Sequence, residues 1–312
     1  MEVNFERPAD DQAVKHARTT PVRCPACASP AAPFVSSRDF NRQTTELTFD
    51  YFQCGQCRLV FMDPIPGDMR PFYAGGYQTI PRNLAELRAI AAKERYRLEP
   101  ILRHKRSGRL LEVGPWMGIF SCNAKDAGFE VSALEIDPVC VTFLNETVGV
   151  RAMQSSDPAE SLARMEETFD VIALWHCLEH LPHPWRVMQE AAKRLAPGGV
   201  LLIAIPNIES HEFRLFKGRW RHLDAPRHIY FYPKESLVEL CRASGLAKLE
   251  VTTNDALSRA LSEETWHLWA LAKIPVKYVR GAVRRLGLAY SRYKEKKEDS
   301  GSGITAVFQR PS

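Results

Sequence analysis

The chain has 312 residues and a mass of 35.4 kDa, room for two domains or for one large domain with an appendage. Hydrophobic residues make up 45% and charged residues 25%, ordinary for a globular protein with a core, which excludes long disorder, collagen and a disulfide scaffold. A net charge of +5 is too weak alone to imply nucleic acid, and the longest apolar run, Val200 to Pro206, is too short to span a bilayer.

Residues 1–20 lack periodicity and read as a flexible arm. The segment Met1 to Glu6 is acidic without an apolar core, so it does not read as a secretory signal, and a reducing cytosol is expected. Residues 21–66 form a small module with two CxxC pairs, Cys24/Cys27 and Cys54/Cys57. Four thiolates in two such turns supply a tetrahedral Zn²⁺ site with no open coordination position, so this module is expected to be structural. The 26 residues between Cys27 and Cys54 fit a hairpin, and Thr44 to Gln53 read as a strand. Residues 67–108 are a linker followed by a helix over 82–103.

From residue 109 to 312 the pattern is strand, turn, helix, repeated. Arg109 to Val113, Phe129 to Ile136, Phe169 to Trp175 and Val200 to Ile205 read as strands, and Trp185 to Leu195 as a helix. Lys248 to Thr252 and Ile304 to Phe308 supply two later strands, separated by a helical insertion over 257–297. The fold class is therefore α/β, a Rossmann-like doubly wound sheet carrying a small zinc-ribbon module. Gly114 and Gly118 mark a strand-to-helix turn that lets a ligand approach the backbone, and Glu135 follows about twenty residues later, where a carboxylate accepts ribose hydroxyls. A dinucleotide site needs a third glycine for its pyrophosphate, and the turn lacks it.

With those residues in place, the chain resembles class I S-adenosylmethionine-dependent methyltransferases over roughly residues 80–255. Glu112-Val-Gly-Pro-Trp-Met-Gly118 is similar to the family's first motif, with Trp116 replacing its middle glycine. Phe169 to Ile172 with Leu178 to Leu181 resembles the fourth-strand motif, and Leu195-Ala-Pro-Gly-Gly199 the turn before the next strand. The resemblance implies that S-adenosylmethionine meets Glu112, Gly114, Trp116, Gly118, Glu135, Ile136, Trp175, His176 and Tyr77. His176-Cys-Leu-Glu-His180 also matches a zinc-protease pattern, but it follows a buried strand and runs into Pro182 and Pro184, which disfavours that reading.

Residues 206–233 follow a strand end and mix aromatics with His222, Asp224, Arg227 and His228. They resemble a Trp-x-x-Leu-Asp-x-Pro-Arg-His segment of methyltransferases from sugar and polysaccharide pathways, which implies a sugar-like small-molecule acceptor, nucleotide- or lipid-linked in some members. Methyl transfer needs an aligned nucleophile and one base; His228 and His180 are the candidates, with Arg227 expected to keep His228 neutral. Val276, Val279, Val283, Leu286, Tyr290 and Tyr293 form one helical stripe among nine Lys or Arg between Lys273 and Lys297. The first expectation is that the stripe packs on the catalytic domain; the second is contact with an anionic membrane surface, placing the protein peripherally at the inner membrane. RNA methylation through the zinc module and basic helices, and a non-catalytic scaffold, stay open as other readings, with nucleic acid disfavoured.

Overall fold

The computed structural model describes residues 21–73, 80–274 and 276–312, and the candidate contact Tyr77 and the arm 1–20 lie outside the described residues. The first three strands are β1 (Ala31–Arg38), β2 (Thr48–Cys54) and β3 (Val60–Met62). Strands β1 and β2 pair antiparallel, forming the hairpin expected between the two CxxC turns. The helix expected over 82–103 is broken: α1 (Leu84–Ala91) runs into 3₁₀ turns over Ala92–Leu98, and α2 (Glu99–Leu102) follows. Glu94 at φ −112° and ψ 19° leaves helical geometry and makes the kink.

The second half of the chain alternates as expected. In order come β4 (Gly108–Val113), α3 (Ile119–Asp126), β5 (Phe129–Glu135), α4 (Pro138–Phe143) and β6 (Arg151–Gln154). Then come α5 (Pro158–Arg164), β7 (Phe169–Trp175), α6 (Pro184–Arg194), β8 (Leu195–Pro206) and α7 (His211–Phe216). The chain closes with β9 (Tyr230–Phe231), α8 (Lys234–Ala243), β10 (Ala247–Thr252), α9 (Ala256–Lys273), α10 (Lys277–Glu298) and β11 (Gly303–Gln309).

Seven strands form one sheet in the order β10-β11-β8-β7-β4-β5-β6. The pairs from β8 to β6 are parallel, and β11 runs antiparallel between β8 and β10. Val171 to Leu174 and Val200 to Ala204 are fully buried, because helices cover both faces of the sheet. The chain winds outward from β4 through β5 and β6, then returns to β7 and continues the other way. The order therefore reverses between β4 and β7, and ligands bind outside the carboxyl ends of strands at such a point.

A second sheet has the order β1-β2-β3-β9. The cysteine-bearing hairpin is thus completed by a strand from residues 230–231, with Val60 opposite Phe231 and Phe61 opposite Tyr230. The expected packing of the 276–293 stripe is corrected by the structure. Helix α10 buries Gly287, Ser291 and Glu295, while Leu286 is 72% exposed and Tyr290 and Tyr293 also face outward.

Candidate active site

The turn after β4 takes the left-handed conformation three times, at Gly114 (φ +71°), Trp116 (φ +52°) and Gly118 (φ +83°). At Gly114 a Cβ would meet the Cys177 sulfur at 2.8 Å, and at Gly118 the Leu144 Cδ2 at 2.5 Å. Both glycines are required by conformation and by space. Trp116 has neither excuse, and a side chain in that region costs about 1–2 kcal/mol. Its backbone N–H is tied to Glu135 Oε2 at 2.8 Å, and its ring is partly buried against the α3 side of the core.

Glu135 is the organising acid of this end of the sheet. Its Oε1 accepts from the N–H groups of Ile136 (2.8 Å) and Asp137 (3.0 Å), and its Oε2 from Trp116. A carboxylate has about four acceptor positions, so one remains for a ribose hydroxyl. Ile136 beside it is exposed at the rim. Burial raises the Glu135 carboxyl against the pull of those backbone bonds. Glu112 lies deeper, accepts from Ser121 Oγ at 2.5 Å, and is pushed by burial up to about 7.

The next side of the crevice comes from the end of β7. His176 is also left-handed (φ +49°), and its Nδ1 lies 3.3 Å from Glu179 Oε1. Residues Leu178–His180 form a 3₁₀ turn, so His176 and His180 do not share an α-helical face as a zinc-protease pair requires. Trp175 is buried against Phe120, with Arg97 5.5 Å over its ring. Trp175 Nε1 and Glu179 Oε2 are buried without a hydrogen-bond partner among the described residues. The buried thiol of Cys177 is raised by desolvation and then by the fields of Glu179, Glu135 and Glu112. Glu135 at the end of β5 and Glu179 after β7 thus flank the turn that Gly114 opens beside Cys177. That donor set fits a cationic ligand with ribose hydroxyls and opposes a pyrophosphate. The residues present fit S-adenosylmethionine.

The two candidate bases stand together. The His180 and His228 rings meet edge to face, with centroids 4.6 Å apart. One nitrogen of each and a Glu179 carboxylate oxygen lie within 4.8 Å of one another. His228 Nδ1 is 2.9 Å from the His222 carbonyl, so that nitrogen carries the proton and Nε2 holds the lone pair. His180 Nδ1 is 2.9 Å from the Arg227 carbonyl and 3.1 Å from the Tyr73 hydroxyl. Burial, aided by His180, pushes His228 down to about 4, while Asp224 and Glu179 oppose the shift.

Arg227 does not act on His228 as the sequence suggested. Its guanidinium is fully buried and bound by Asp224 (2.7 and 2.9 Å), Asp39 (2.7 and 3.1 Å) and the Phe72 carbonyl (3.1 Å). It clasps the 221–228 loop to the N-terminal sheet. Tyr51 Oη donates to the His228 carbonyl at 2.9 Å from the same sheet. His222, which orients His228, is itself held from α9 by the Leu261 carbonyl (3.0 Å) and Thr265 (3.1 Å). The partners Asp39 and Tyr51 carry no signal in the sequence; His222 stands out with the Trp-x-x-Leu-Asp segment, but its contact with His228 does not.

The four cysteine sulfurs converge at the edge of that sheet. Cys24–Cys57 and Cys27–Cys54 are 3.5 Å apart and Cys27–Cys57 3.7 Å. Disulfides require about 2.05 Å. Ligands held at about 2.3 Å around a tetrahedral zinc stand about 3.8 Å apart, close to the spacing here. The N–H groups of Gln56 and Cys57 point at the Cys54 sulfur at 3.4 Å, as thiolate ligands favour.

A family profile described as a methyltransferase domain matches residues 84–251. The chain belongs to this methyltransferase family. It is 28% identical over 183 residues to a ubiquinone biosynthesis O-methyltransferase of Paraburkholderia phymatum, covering 52% of this chain and 76% of that protein. A ribosomal RNA small subunit methyltransferase A of Mycobacterium leprae is 29% identical over 188 residues, covering 52% and 60%. Among solved structures, phosphoethanolamine N-methyltransferase 2 of Haemonchus contortus, in complex with S-adenosyl-L-methionine, superposes with a TM-score of 0.50. That match covers 91% of this chain and 69% of the other at 15% identity, and it speaks for the fold alone. The methyltransferase activity and its cofactor follow from the family; the acceptor does not.

Proposed function

We propose that this methyltransferase acts on a phenol-like hydroxyl of a small molecule, with His228 as the general base and a structural zinc on Cys24, Cys27, Cys54 and Cys57. The observation that carries the base assignment is the His228 Nδ1–His222 carbonyl contact, because it leaves Nε2 as the acceptor in a neutral, buried ring. When bound, S-adenosylmethionine supplies an electrophilic methyl group on a cationic sulfur. Glu135 and the turn at Gly114 to Gly118 hold its nucleoside end, and the acids around Cys177 favour its positive charge. His228 Nε2 takes the hydroxyl proton as the oxygen–methyl bond forms, and Asp224 and Glu179 stabilise the imidazolium. His180, held by the Arg227 carbonyl and Tyr73, positions the acceptor.

Burial keeps His228 a weak base, which favours the more acidic acceptor. A phenol ionises near 10, whereas a sugar hydroxyl is a much poorer acid, so the phenol asks less of this imidazole. The name of the quinone-pathway relatives points the same way. A sugar acceptor keeps one argument, the resemblance of residues 206–233. The test is single-turnover methyl transfer to a panel of catechols, hydroquinones and sugar nucleotides. Catechols or hydroquinones should react fastest, and His228→Ala should slow the chemical step by about 10²–10⁴ with cofactor affinity unchanged. A near wild-type rate in that variant sinks the base assignment; preference for a sugar nucleotide moves the acceptor to the other class.

A further inference from the structure

Helix α10 is amphipathic in the reverse of the usual sense. Its inward face is small and polar: Gly287, Ser291 and Glu295 recur every fourth residue and are buried. A Cβ at Gly287 would collide with the Trp266 ring of α9. Trp266 Nε1 donates to Ser291 Oγ at 2.8 Å, and Ser262 Oγ donates to Glu295 Oε1 at 2.8 Å. Turning the helix to bury its apolar side would break these bonds and drive larger side chains into Trp266. The apolar side is therefore held outward. Tyr278 is 89% exposed, Leu286 72% and Tyr293 57%, and Val279 and Tyr290 continue the line.

Charge follows the same division. The single acid between Lys273 and Lys297 is Glu295, and it points inward. Arg285, Arg292 and Lys296 share one border of the apolar stripe. Lys294 and Lys297 lie over the Tyr290 and Tyr293 rings at 5.9 and 5.5 Å. An outward face of aliphatic and tyrosine side chains bordered by cations matches one partner chemistry. We infer that the outer face of α10 docks on an anionic lipid bilayer surface, with the stripe at the acyl boundary and the cations at the headgroups. A second copy of the chain is disfavoured because facing helices would oppose like charges. Nucleic acid is disfavoured because phosphates offer nothing to Leu286 and Val279. No helix among the described residues is long and apolar enough to cross a membrane, so the contact lies in the surface plane.

The experiment is co-sedimentation of the full chain with phosphatidylcholine vesicles, with and without phosphatidylglycerol. Binding should require phosphatidylglycerol and weaken with salt. Replacing Arg285, Arg292 and Lys296 together by Gln should weaken it on the order of a hundredfold, about fivefold for each cation. Leu286→Ser should weaken it about tenfold at any salt, the scale of one lost apolar side chain. Both variants change exposed positions, so melting and methyl transfer to a soluble acceptor should match wild type. No binding to anionic vesicles overturns the inference, as does Leu286→Ser binding as tightly as wild type. A concentration-dependent dimer abolished by Leu286→Ser would assign the face to a second copy instead. Tight binding of an RNA oligonucleotide that needs the three cations but ignores Leu286 would assign it to nucleic acid.

Discussion

Arg227→Met removes the cation that holds two buried acids and leaves a side chain of similar length. Wild-type Asp39 is 3% exposed, and although burial opposes ionisation, the bonds from Arg227, Thr44 and Arg42 bring its carboxyl down from 3.8 to about 2. That depression corresponds to about 2 kcal/mol of stability at neutral pH. Asp224 is depressed as well, chiefly by Arg227 against its own burial. Breaking a buried pair from one side costs about 3–5 kcal/mol, which accommodates both acids. The sign is fixed by the direction of the shifts. Both carboxyls titrate lower when folded, so their contribution is full above the unfolded carboxyl range and is lost as pH falls through about 2. The difference between wild type and Arg227→Met, measured by urea unfolding, should be about 3–5 kcal/mol at pH 7 and shrink as pH falls below about 4. Single-turnover methyl transfer should also fall, because the Arg227 carbonyl orients His180. Adding Asp39→Asn and Asp224→Asn to Arg227→Met should restore part of the stability. An unchanged unfolding free energy, or a loss equal at every pH, would refute the clasp.

Glu135→Gln should weaken S-adenosylmethionine by about 1.5–3 kcal/mol in calorimetry, the scale of a hydrogen bond to a charged acceptor; equal affinity would remove the ribose assignment. Trp116→Gly should relieve about 1–2 kcal/mol of left-handed backbone strain, partly offset by lost indole packing, and a melt lowered by several degrees would argue against strain there. His228 titrates lower when folded, about 4 against 6.5, so stability should decline by up to about 3 kcal/mol as pH falls from 6.5 through 4, and His228→Asn should flatten that slope in pH-dependent urea unfolding. The protein should carry one zinc per chain by elemental analysis, and Cys54→Ser should lose the metal and lower the melting temperature.

How much was legible in the chain follows from what each signal depends on. Strands β7 and β8 were readable because a strand covered on both faces is a continuous apolar run, Val171 to Trp175 and Val200 to Pro206, whereas β4 and β5 show shorter runs ending at turns. Strand β6, Arg151–Gln154, is an edge with only Ala152 buried, so it left no run to find. Strand β9 has two residues and exists only because β3 lies beside it. The 276–293 stripe revealed an amphipathic helix, but periodicity does not say which side meets the protein. Gly287, Ser291 and Glu295 repeat as regularly on the other side, and Trp266 selects them. Glu112, Glu135, His180 and His228 were visible because motif spacing tracks strand ends. The role of Arg227 was hidden, since Asp39 lies 188 residues away in sequence and 2.7 Å away in space.

The N-terminal sheet therefore takes part in building the candidate site. An isolated two-stranded hairpin is marginal in water, and β1–β2 gains β3 and then β9 as further partners. The residues that supply β9 directly follow His228, so the strand that completes the cysteine-bearing sheet also anchors the candidate base. Three bonds repeat that coupling: Tyr51 to the His228 carbonyl, Asp39 to Arg227, and Arg227 to the Phe72 carbonyl. Each runs from chain positions before the methyltransferase core to the loop after β8, and the loop has no regular structure of its own from 224 to 229. Beside these ties the loop that carries His228 is held by the His222 contacts with α9, by Asn41 to Asp224 and by the Ile229 N–H to the Glu179 carbonyl at 2.9 Å. A metal bound by the four clustered cysteines would brace this sheet and, through β9, the loop. On that reading the cysteine cluster needs no open coordination position, because its part is to brace the loop that carries His228.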